Sequence, residues 1–256
     1  MKKKNSRTAQ KQKPDHYPVI VISDTHLGMG NTSTDLLVEF LQNTTCDRLI
    51  LNGDIIDGWR INRQKEADFP EAQKRVLDAI NRKIAEGVDV IYIPGNHDGE
   101  LRRRGLAGKN VLGARLEHEF EFTDPKGRKI FVCHGDRFDP MQQGASKLDK
   151  LPKALKYPIG AGYILMVDKG YDAASRISSA IDRVSEHVLH RSIGLFSKVR
   201  TTLEGLSGSK GNMEQSAIDH AQKNNYDGII CGHFHMSAKR DSGGKLYLNS
   251  GDWVES

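Results

Sequence analysis

The sequence has few cysteines, few aromatic residues and no long apolar run, and each shortage excludes a class of protein. Its 256 residues include three cysteines, an odd number with no CxxC spacing, which suits a reducing compartment. No apolar stretch approaches the roughly 18 residues of a membrane-spanning helix. The basic segment 1–17 has no apolar core, so it does not resemble a secretory signal. We therefore expect a cytoplasmic protein.

Positive charge is concentrated in two segments. Residues 1–17 hold six Lys and Arg against one Asp, and residues 141–210 hold eleven Lys and Arg against six Asp and Glu. Each segment has a net charge of +5, which equals that of the whole chain, so the remainder has a net charge of −5. An acidic core between basic segments is typical of an enzyme that acts on anionic substrates or beside an anionic surface. For residues 1–17, a disordered, solubilising tail is the alternative.

Five short apolar runs predict the buried strands of a sheet. They are residues 18–23, 48–51, 88–93, 129–133 and 228–231. Near-continuous apolar runs of this length are typical of strands covered on both faces. Two helices are predicted between the first three strands, at 34–43 and 69–86, and Gly87 would end the second. The alternation predicts an α/β fold with ligands bound at the carboxyl ends of the strands.

Residues 140–212 interrupt this alternation. Ile177, Ile181, Val184 and Val188 recur at helical spacing, and residues 206–211 are rich in Gly and Ser, as a flexible hinge would be. We expect a helical insertion, the lid, within a domain that spans residues 18–256. The chain ends soon after Trp253, which leaves little length for closing strands and predicts a truncated chain or a short variant.

Every predicted strand is followed by side chains that can bind a metal ion. These side chains are two Asp, one Asn and four His: Asp24, His26, Asp54, Asn96, His134, His233 and His235. Asp24 and His26 are two residues apart, so in an extended segment both would point toward one ion. Neighbouring glycines such as Gly53 and Gly95 allow tight turns. One such histidine is usually structural, but donors after five strands indicate a metal site.

The types of donor restrict the metal. Imidazole, carboxylate and amide groups together suit borderline divalent ions better than Ca²⁺ or a thiolate-bound ion. We expect Mn²⁺, with Fe²⁺ or Zn²⁺ as alternatives.

The donors lie in five blocks that resemble the ordered blocks of the calcineurin-like metallophosphoesterase superfamily. The blocks are Asp24-Thr-His26, Gly53-Asp54-x-x-Asp57, Gly95-Asn-His-Asp98, His134-Gly135 and Gly232-His-Phe-His235. The resemblance implies a four-layer αββα sandwich with a helical insertion, and hydrolysis of a phosphoester or diphosphate by a metal-activated water. It implies two divalent ions that share Asp54. One ion would be bound by Asp24, His26, Asp54 and His235, and the other by Asp54, Asn96, His134 and His233.

His97 and Asp98 are the predicted catalytic residues. His97 follows the ligand Asn96 and is expected to stabilise the transition state or to protonate the leaving oxygen, with Asp98 orienting it. Helix capping or packing is the alternative role for His97. Asp57 is expected to hold a loop or a histidine proton.

Within the superfamily, the chain most resembles the UDP-2,3-diacylglucosamine diphosphatase-like group of lipid A biosynthesis. The resemblance rests on residues 23–27 and 53–59, on the insertion after His134-Gly135-Asp136, and on the ending Asn249-Ser-Gly-Asp-Trp253. It implies a phosphorylated, lipid-linked substrate and peripheral contact with an anionic inner membrane. Arg102 and Arg103 are expected to bind the substrate's phosphate. The apolar stripe of the lid would meet the acyl chains, and its alternative role is to pack on the core. The alternative for Arg102 and Arg103 is an exposed run of charge.

Other functions stay open. The block Gly95-Asn-His97-Asp has His where the best-known members with diphosphatase activity carry Arg, so a small-molecule or nucleotide phosphodiesterase or phosphatase of the same fold is the alternative. Nucleic acid is not an expected partner, because the 7% of aromatic residues are not interleaved with the basic ones. A non-catalytic binding scaffold is a remote alternative, since such scaffolds usually lose ligands that are all present here.

Overall fold

Two five-stranded sheets organise the part of the chain that the structure, a computed structural model, describes. The described residues are 15–28, 32–57, 70–98, 101, 108–111, 113–139 and 210–254. Contacts divide the chain into two units. The first comprises Met1–Phe120, Phe234–Met236 and Ser250–Ser256, and the second comprises Glu121–His233 and Ser237–Asn249.

The sheet of the first unit is mostly parallel. Its strands are β1 (Asp15–Ile22), β2 (Thr44–Asn52), β3 (Asp89–Ile93), β4 (Asn110–Val111) and β5 (Ala114–Leu116). The strand order is β1-β2-β3-β5-β4, and only β4 runs antiparallel to its neighbour. Leu49 in β2 and Ile91 in β3 are fully buried, as expected for parallel strands covered on both faces. The carboxyl ends of β1, β2 and β3 therefore lie along one edge of this sheet.

Two helices pack on this sheet, α1 (Thr34–Asn43) and α2 (Glu71–Ala85). Each buries an apolar stripe in the core of the unit, including Leu37 and Leu41 on α1 and Val76 and Ile80 on α2. The predicted bounds of α1 are confirmed. The second helix begins at Glu71 rather than at residue 69, because Pro70 is a non-helical N-cap with ψ of 128° and proline disfavours helical backbone in the residue before it. The predicted stop is confirmed, since Gly87 has a φ of 89° and donates to Ile84 O.

The described part of the second unit holds one α-helix and nearly all of the second sheet, whose first strand begins at Phe120. Its elements are β6 (Phe120–Thr123), β7 (Lys129–Val132), α3 (Lys210–Lys223), β8 (Gly228–Cys231), β9 (Ala238–Ser242) and β10 (Lys245–Asn249). The strand order is β6-β7-β8-β10-β9. Strand β8 pairs in parallel with both β7 and β10, and β9 is antiparallel to β10.

The five predicted strands are confirmed as β1, β2, β3, β7 and β8, and the α/β class is confirmed with two sheets and helices. Sequence reasoning missed the other five strands, which are short or polar. Strand β9 (Ala238–Ser242) has three exposed residues in the middle, so it lacks the apolar run on which the prediction depended.

The helix α3 was also missed, and it begins at Lys210, in the stretch interpreted as a hinge. Its fully buried residues are Met213, Ala217 and Ala221, which recur every four positions. Two of the three are alanines, so the stripe is too weakly apolar to stand out in the sequence.

Several predictions fall on residues outside the described ranges. These are the tail 1–14, most of the lid (140–209) with its apolar stripe, and Arg102 and Arg103. Among the described residues, every helix is too short or too polar to cross a lipid bilayer.

Candidate metal centre

The loops after β1 and β2 run side by side, as a continuation of the parallel pairing of these strands. Asp24 N donates to Gly53 O at 3.0 Å, and His26 N donates to Asp54 O at 2.9 Å. The pairing ends in an isolated parallel bridge between Leu27 and Ile56. The backbone thus fixes the Asp24 and Asp54 loops relative to each other, and Thr25 Oγ1 adds a hydrogen bond to Ile55 O at 2.8 Å.

The candidate ligands have an unusual backbone conformation. Six non-glycine residues in the described ranges have positive φ, and five of them are predicted ligands: Asp24, His26, Asp54, His233 and His235. Non-glycine residues are uncommon in this region, and such strain collects at functional sites. The prediction that Asp24 and His26 share an extended segment is therefore wrong. Strand β1 ends at Ile22, and φ values of 53° and 44° turn these two residues inward instead.

Four donor atoms of the first unit converge at distances that suit a single cation. His26 Nε2 lies 3.1 Å from His235 Nε2 and 3.9 Å from Asp54 Oδ2, and His235 Nε2 lies 3.5 Å from Asp24 Oδ1. Ligands bound at about 2.0–2.2 Å around a tetrahedral or octahedral ion are roughly 3.0–3.5 Å apart. The donors fit a divalent cation in both type and spacing.

Burial keeps the central histidine in the form that binds metals. His26 is almost fully buried, and this loss of hydration lowers its pKa to about 4 despite the nearby carboxylate of Asp54. The imidazole is therefore neutral at pH 7, as a metal ligand must be.

Gly95 makes room for the carboxylate of Asp54. A Cβ atom at Gly95 would lie 2.0 Å from Asp54 Oδ1 and 2.6 Å from Asp54 N, which no side chain can satisfy. Asp54 Oδ1 also accepts a hydrogen bond from His97 N at 2.9 Å. The sequence predicts a turn-forming glycine here, but Gly95 is not among the glycines at positive φ. Its contribution is space for a close approach.

The candidate acid His97 lies beside Asp57. Its Nδ1 lies 3.6 Å from Asp57 Oδ2, and its ring meets that of His26 edge-on, with centroids 4.8 Å apart. Burial opposes protonation of His97, but the interaction with Asp57 and the charge of Asp54 outweigh it and raise the pKa of His97. The expected role of Asp57, to hold a histidine proton, fits this contact.

Asp98, which the sequence predicts to orient His97, also binds the backbone of two loops. Its carboxylate accepts hydrogen bonds from the N–H groups of Ile55 and Ile56, each at 3.2 Å, and of Gly95 at 3.3 Å. Buried Asp98 thereby ties the loop after β3 to the loop that carries Asp54.

The segment that follows β10 joins the same site. Ser23 Oγ and Ser250 Oγ are 2.6 Å apart, and Trp253 N donates to Asp24 O at 3.2 Å. Between them, Asp252 Oδ2 lies 2.7 Å from His235 Nδ1. Sequence reasoning assigned no role to Asp252. The signal was available, because Asp252 lies inside the Asn249–Trp253 motif already noted as part of the resemblance.

The second unit holds two further predicted ligands close together. His134 follows β7, His233 follows β8, and the parallel pairing of these strands brings the two rings to a centroid distance of 5.2 Å. Gly232 N donates to His134 O at 2.8 Å, which fixes the two loops. His233 Nε2 lies 2.9 Å from Oδ2 of buried Asp139, another residue that sequence reasoning missed.

Three other predicted site residues remain, which are Asn96, Arg102 and Arg103. Asn96 is half-buried between Gly95 and His97 at the end of β3, and Arg102 and Arg103 lie outside the described residues. The first unit therefore brings together Asp24, His26, Asp54, His97 and His235, and the second brings together His134 and His233.

Comparison with known proteins decides the family. The family model for calcineurin-like phosphoesterases matches residues 17–237. The chain belongs to this family. The predicted resemblance to the superfamily is thereby confirmed, and membership of this family implies divalent metal ions.

The chain is similar to curated proteins named UDP-2,3-diacylglucosamine hydrolase. One from Histophilus somni (strain 2336) is 27% identical over 118 residues, which cover 45% of this chain and 47% of the relative. One from Actinobacillus succinogenes is 31% identical over the same shares of each chain. The chain thus spans about half the length of the curated relatives it matches. Among solved structures, the phosphopantetheinyl hydrolase of Mycobacterium tuberculosis is 14% identical, with a TM-score of 0.41 over 94% of this chain and 91% of the other.

Proposed function

We propose that this phosphoesterase-family protein is an enzyme that hydrolyses a phosphoester or diphosphate bond with two divalent metal ions. The observation that carries the proposal is the convergence of Asp24, His26 and His235, whose donor atoms lie within 4.8 Å of one another. A buried carboxylate such as that of Asp24 is costly unless a partner or a cation compensates it. Mn²⁺ is the proposed ion, because the mixed donor set suits it.

In this proposal, the ligands of one ion are Asp24, His26, Asp54 and His235, and those of the other are Asp54, Asn96, His134 and His233. Two cations held in this way would lower the pKa of a water molecule and neutralise charge on the phosphoryl oxygens. Asp54 is the shared ligand, and Gly95 leaves space for its carboxylate. Asp98 maintains that position through the backbone of Ile55 and Ile56.

His97 is proposed to donate a proton to the leaving oxygen. The pKa of His97 is raised by Asp57 and the charge of Asp54, which favours the protonated form that this role requires. Its backbone N–H is already bound to Asp54 Oδ1, so the ring is held beside the proposed ligand shared by both ions. Asp57 acts through His97 by fixing its orientation.

The proposed substrate is UDP-2,3-diacylglucosamine, cleaved at its diphosphate. Support comes from the names of the curated relatives and from the Lys and Arg excess of residues 141–210, which suits a diphosphate or an anionic membrane surface. Arg102 and Arg103 are proposed to contact the phosphate, and acyl chains would meet the apolar stripe of the lid.

The second candidate is a small-molecule or nucleotide phosphodiesterase. Its supporting observation is His97 itself. A histidine that carries a proton can assist an alkoxide leaving group, whereas a diphosphate has a better leaving group that needs less protonation.

The first experiment tests whether the protein is a metal-dependent phosphoesterase. Protein treated with a chelator and reloaded with Mn²⁺ should hydrolyse bis(p-nitrophenyl) phosphate, and Asp54→Asn should reduce turnover by roughly a thousandfold. The matched control is Asp47→Asn, which removes an exposed carboxylate that also faces a histidine, His16, at 3.4 Å. The proposal is refuted if turnover survives chelation or if Asp54→Asn retains it. An inactive wild type would favour a binding scaffold.

The second experiment separates the substrates. The Mn²⁺-loaded protein is assayed with UDP-2,3-diacylglucosamine, a cyclic nucleotide and single-stranded DNA under identical conditions. Preferential release of UMP from the lipid supports the diphosphatase proposal. Faster cleavage of the cyclic nucleotide would replace it with the second candidate.

A further inference from the structure

Helix α2 buries two polar side chains on a stripe that otherwise packs apolar residues in the core. Gln73 is 3% exposed and Lys83 is 5% exposed, and the buried residues between them are Val76, Ala79 and Ile80. The two polar side chains lie near opposite ends of the helix. A buried polar side chain is costly unless it is hydrogen-bonded, so the partner of each one indicates what it does.

Gln73 contacts the loop that carries two of the candidate ligands. Its Oε1 atom accepts a hydrogen bond from Gly28 N at 2.6 Å, two residues beyond His26. The backbone pairing of this loop with the loop after β2 ends at Leu27, whose carbonyl oxygen accepts from Asp57 N at 2.8 Å. The side chain of Gln73 therefore binds the first N–H beyond that pairing.

The loop 24–28 has a backbone that its surroundings must hold in place. Asp24 and His26 both have positive φ, which non-glycine residues rarely adopt and which persists only where other contacts impose it. Thr32 Oγ1 lies 3.0 Å from Thr25 O and 3.3 Å from His26 O. The bond to Gln73 holds the far end of the same loop.

Lys83 makes a comparable bond at the opposite end of β2. Its Nζ atom donates to Thr44 O, at the first residue of that strand (Thr44–Asn52). The length of this nine-residue strand, about 26 Å, separates Thr44 from Asn52, after which the loop with Asp54 follows. The two buried polar groups of α2 therefore bind the backbone at the site and far from it.

We propose that Gln73 is a positioning residue, whose amide oxygen holds the backbone of loop 24–28 so that Asp24 and His26 stay directed toward one cation. The inference rests on the proposed metal-dependent function and deepens it, because it gives helix α2 a part in forming the site. Gln73 contacts neither the cation nor the substrate in this proposal, and it acts through Gly28.

Substitution with methionine separates positioning from packing. Gln73→Met keeps the approximate size of the side chain and removes the oxygen that accepts from Gly28, and an apolar side chain suits the buried stripe. The metal-free variant should have an unchanged or higher Tm. Calorimetric titration should nevertheless show about 10-fold weaker binding of Mn²⁺, because the loop has lost a hydrogen bond. A side chain that only packs the core would change the Tm and leave the affinity for Mn²⁺ unchanged.

Two further variants test the assignment. Gln73→Glu retains an oxygen that accepts from Gly28, so it should bind Mn²⁺ more tightly than Gln73→Met. Lys83→Met is the matched control, because it removes the other buried polar group of the same stripe, and it should bind Mn²⁺ like the wild type. Wild-type affinity in Gln73→Met, or an equal loss in Lys83→Met, would overturn the proposal.

The position of the loop can also be measured without metal. In chelator-treated protein, amide hydrogen exchange followed by NMR should be faster at Gly28 and His26 in Gln73→Met than in the wild type, and unchanged at Leu49 in β2. Equal exchange at Gly28 in the two proteins would overturn the proposal. Should the variant fail to fold, the wild type decides: slow exchange at Gly28 supports the bond, and exchange at the rate of an unprotected peptide overturns it.

These measurements keep the inference distinct from the proposed function. If the wild type binds no Mn²⁺, the proposed function fails, whereas the exchange rates still decide whether Gln73 holds the loop. If the wild type binds Mn²⁺ and hydrolyses the phosphodiester but Gln73→Met matches it in affinity, only the role of Gln73 is refuted.

Discussion

The strands of this protein and the turns that follow them are built in contrasting ways. In β2 and β3, apolar residues such as Leu49 and Ile91 lie fully buried in ordinary extended conformations. In the turns after β1 and β2, the carboxyl groups of Asp24 and Asp54 are also buried, and both residues have positive φ. Each left-handed residue costs about 1–2 kcal/mol, and an uncompensated buried charge costs more.

The contrast shows where stability is generated and where it is given up for chemistry. Apolar burial in the strands stabilises the fold, whereas the turns hold carboxyl and imidazole groups together in positions that a bound cation would make favourable. Substitutions in the two regions should therefore change different properties, and four experiments test this.

The largest effect is expected in a strand. Leu49→Ala removes a fully buried side chain from β2 and should lower the free energy of unfolding by about 3 kcal/mol. Mn²⁺ affinity of the folded protein should not change. Chemical denaturation and calorimetry measure the two properties, with Leu36→Ala, at an exposed site, as the control within about 0.5 kcal/mol of wild type. A parallel loss of Mn²⁺ affinity would contradict the separation of roles.

A glycine beside the turns should affect the site more than the fold. Gly95→Ala places a methyl group against Asp54 and should reduce metal-dependent turnover roughly a hundredfold, because the carboxylate is displaced by about an ångström. Gly127→Ala is the control, since nothing lies within 4 Å of its Cβ position. Wild-type turnover in Gly95→Ala would show that the position of Asp54 is unimportant.

Metal binding itself should stabilise the protein. At a free Mn²⁺ concentration of 100 times Kd, linkage predicts about 2.7 kcal/mol of added stability. The increase should be seen as a higher Tm for wild type and for Leu49→Ala alike, and it should vanish in Asp54→Asn. An equal increase in Asp54→Asn would place the binding elsewhere.

The smallest effect is expected from neutralising one buried ligand. Asp24→Asn replaces a fully buried carboxylate with an amide of similar shape, so the metal-free protein should gain up to about 1 kcal/mol of stability. In Mn²⁺ the gain in stability should disappear, and the wild type should again be the more stable protein. Thermal unfolding with and without chelator measures both, and a destabilised metal-free variant would contradict the idea of a strained, charged turn.

The sequence predicted the strands well where apolar residues are continuous and poorly where they are not. The run 228–231 became β8 with the predicted bounds, whereas β9 (Ala238–Ser242) escaped notice because its residues are mostly polar. Strand β9 forms through its pairing with β10, and such pairing is decided by the tertiary structure. The helix α3 was hidden for a related reason, since its buried stripe is largely alanine.

The ligand types and their order along the chain were readable, but their geometry was not. Asp24 and His26 were expected to align through an extended backbone, and they align instead through left-handed turns. Gly95 was expected to form a turn, and it provides space for Asp54. Both features depend on a neighbouring loop some thirty or more positions away in the chain.

The sequence by itself determined the family, the α/β class and the identity of the candidate ligands, because apolar runs and donor side chains are local features of the chain. Only the tertiary structure decided which carboxylate supports which histidine. Asp252 faces His235 and Asp139 faces His233 across 17 and 94 positions, respectively. Such pairs form because sheet pairing brings distant loops together, and local sequence contains no record of that approach.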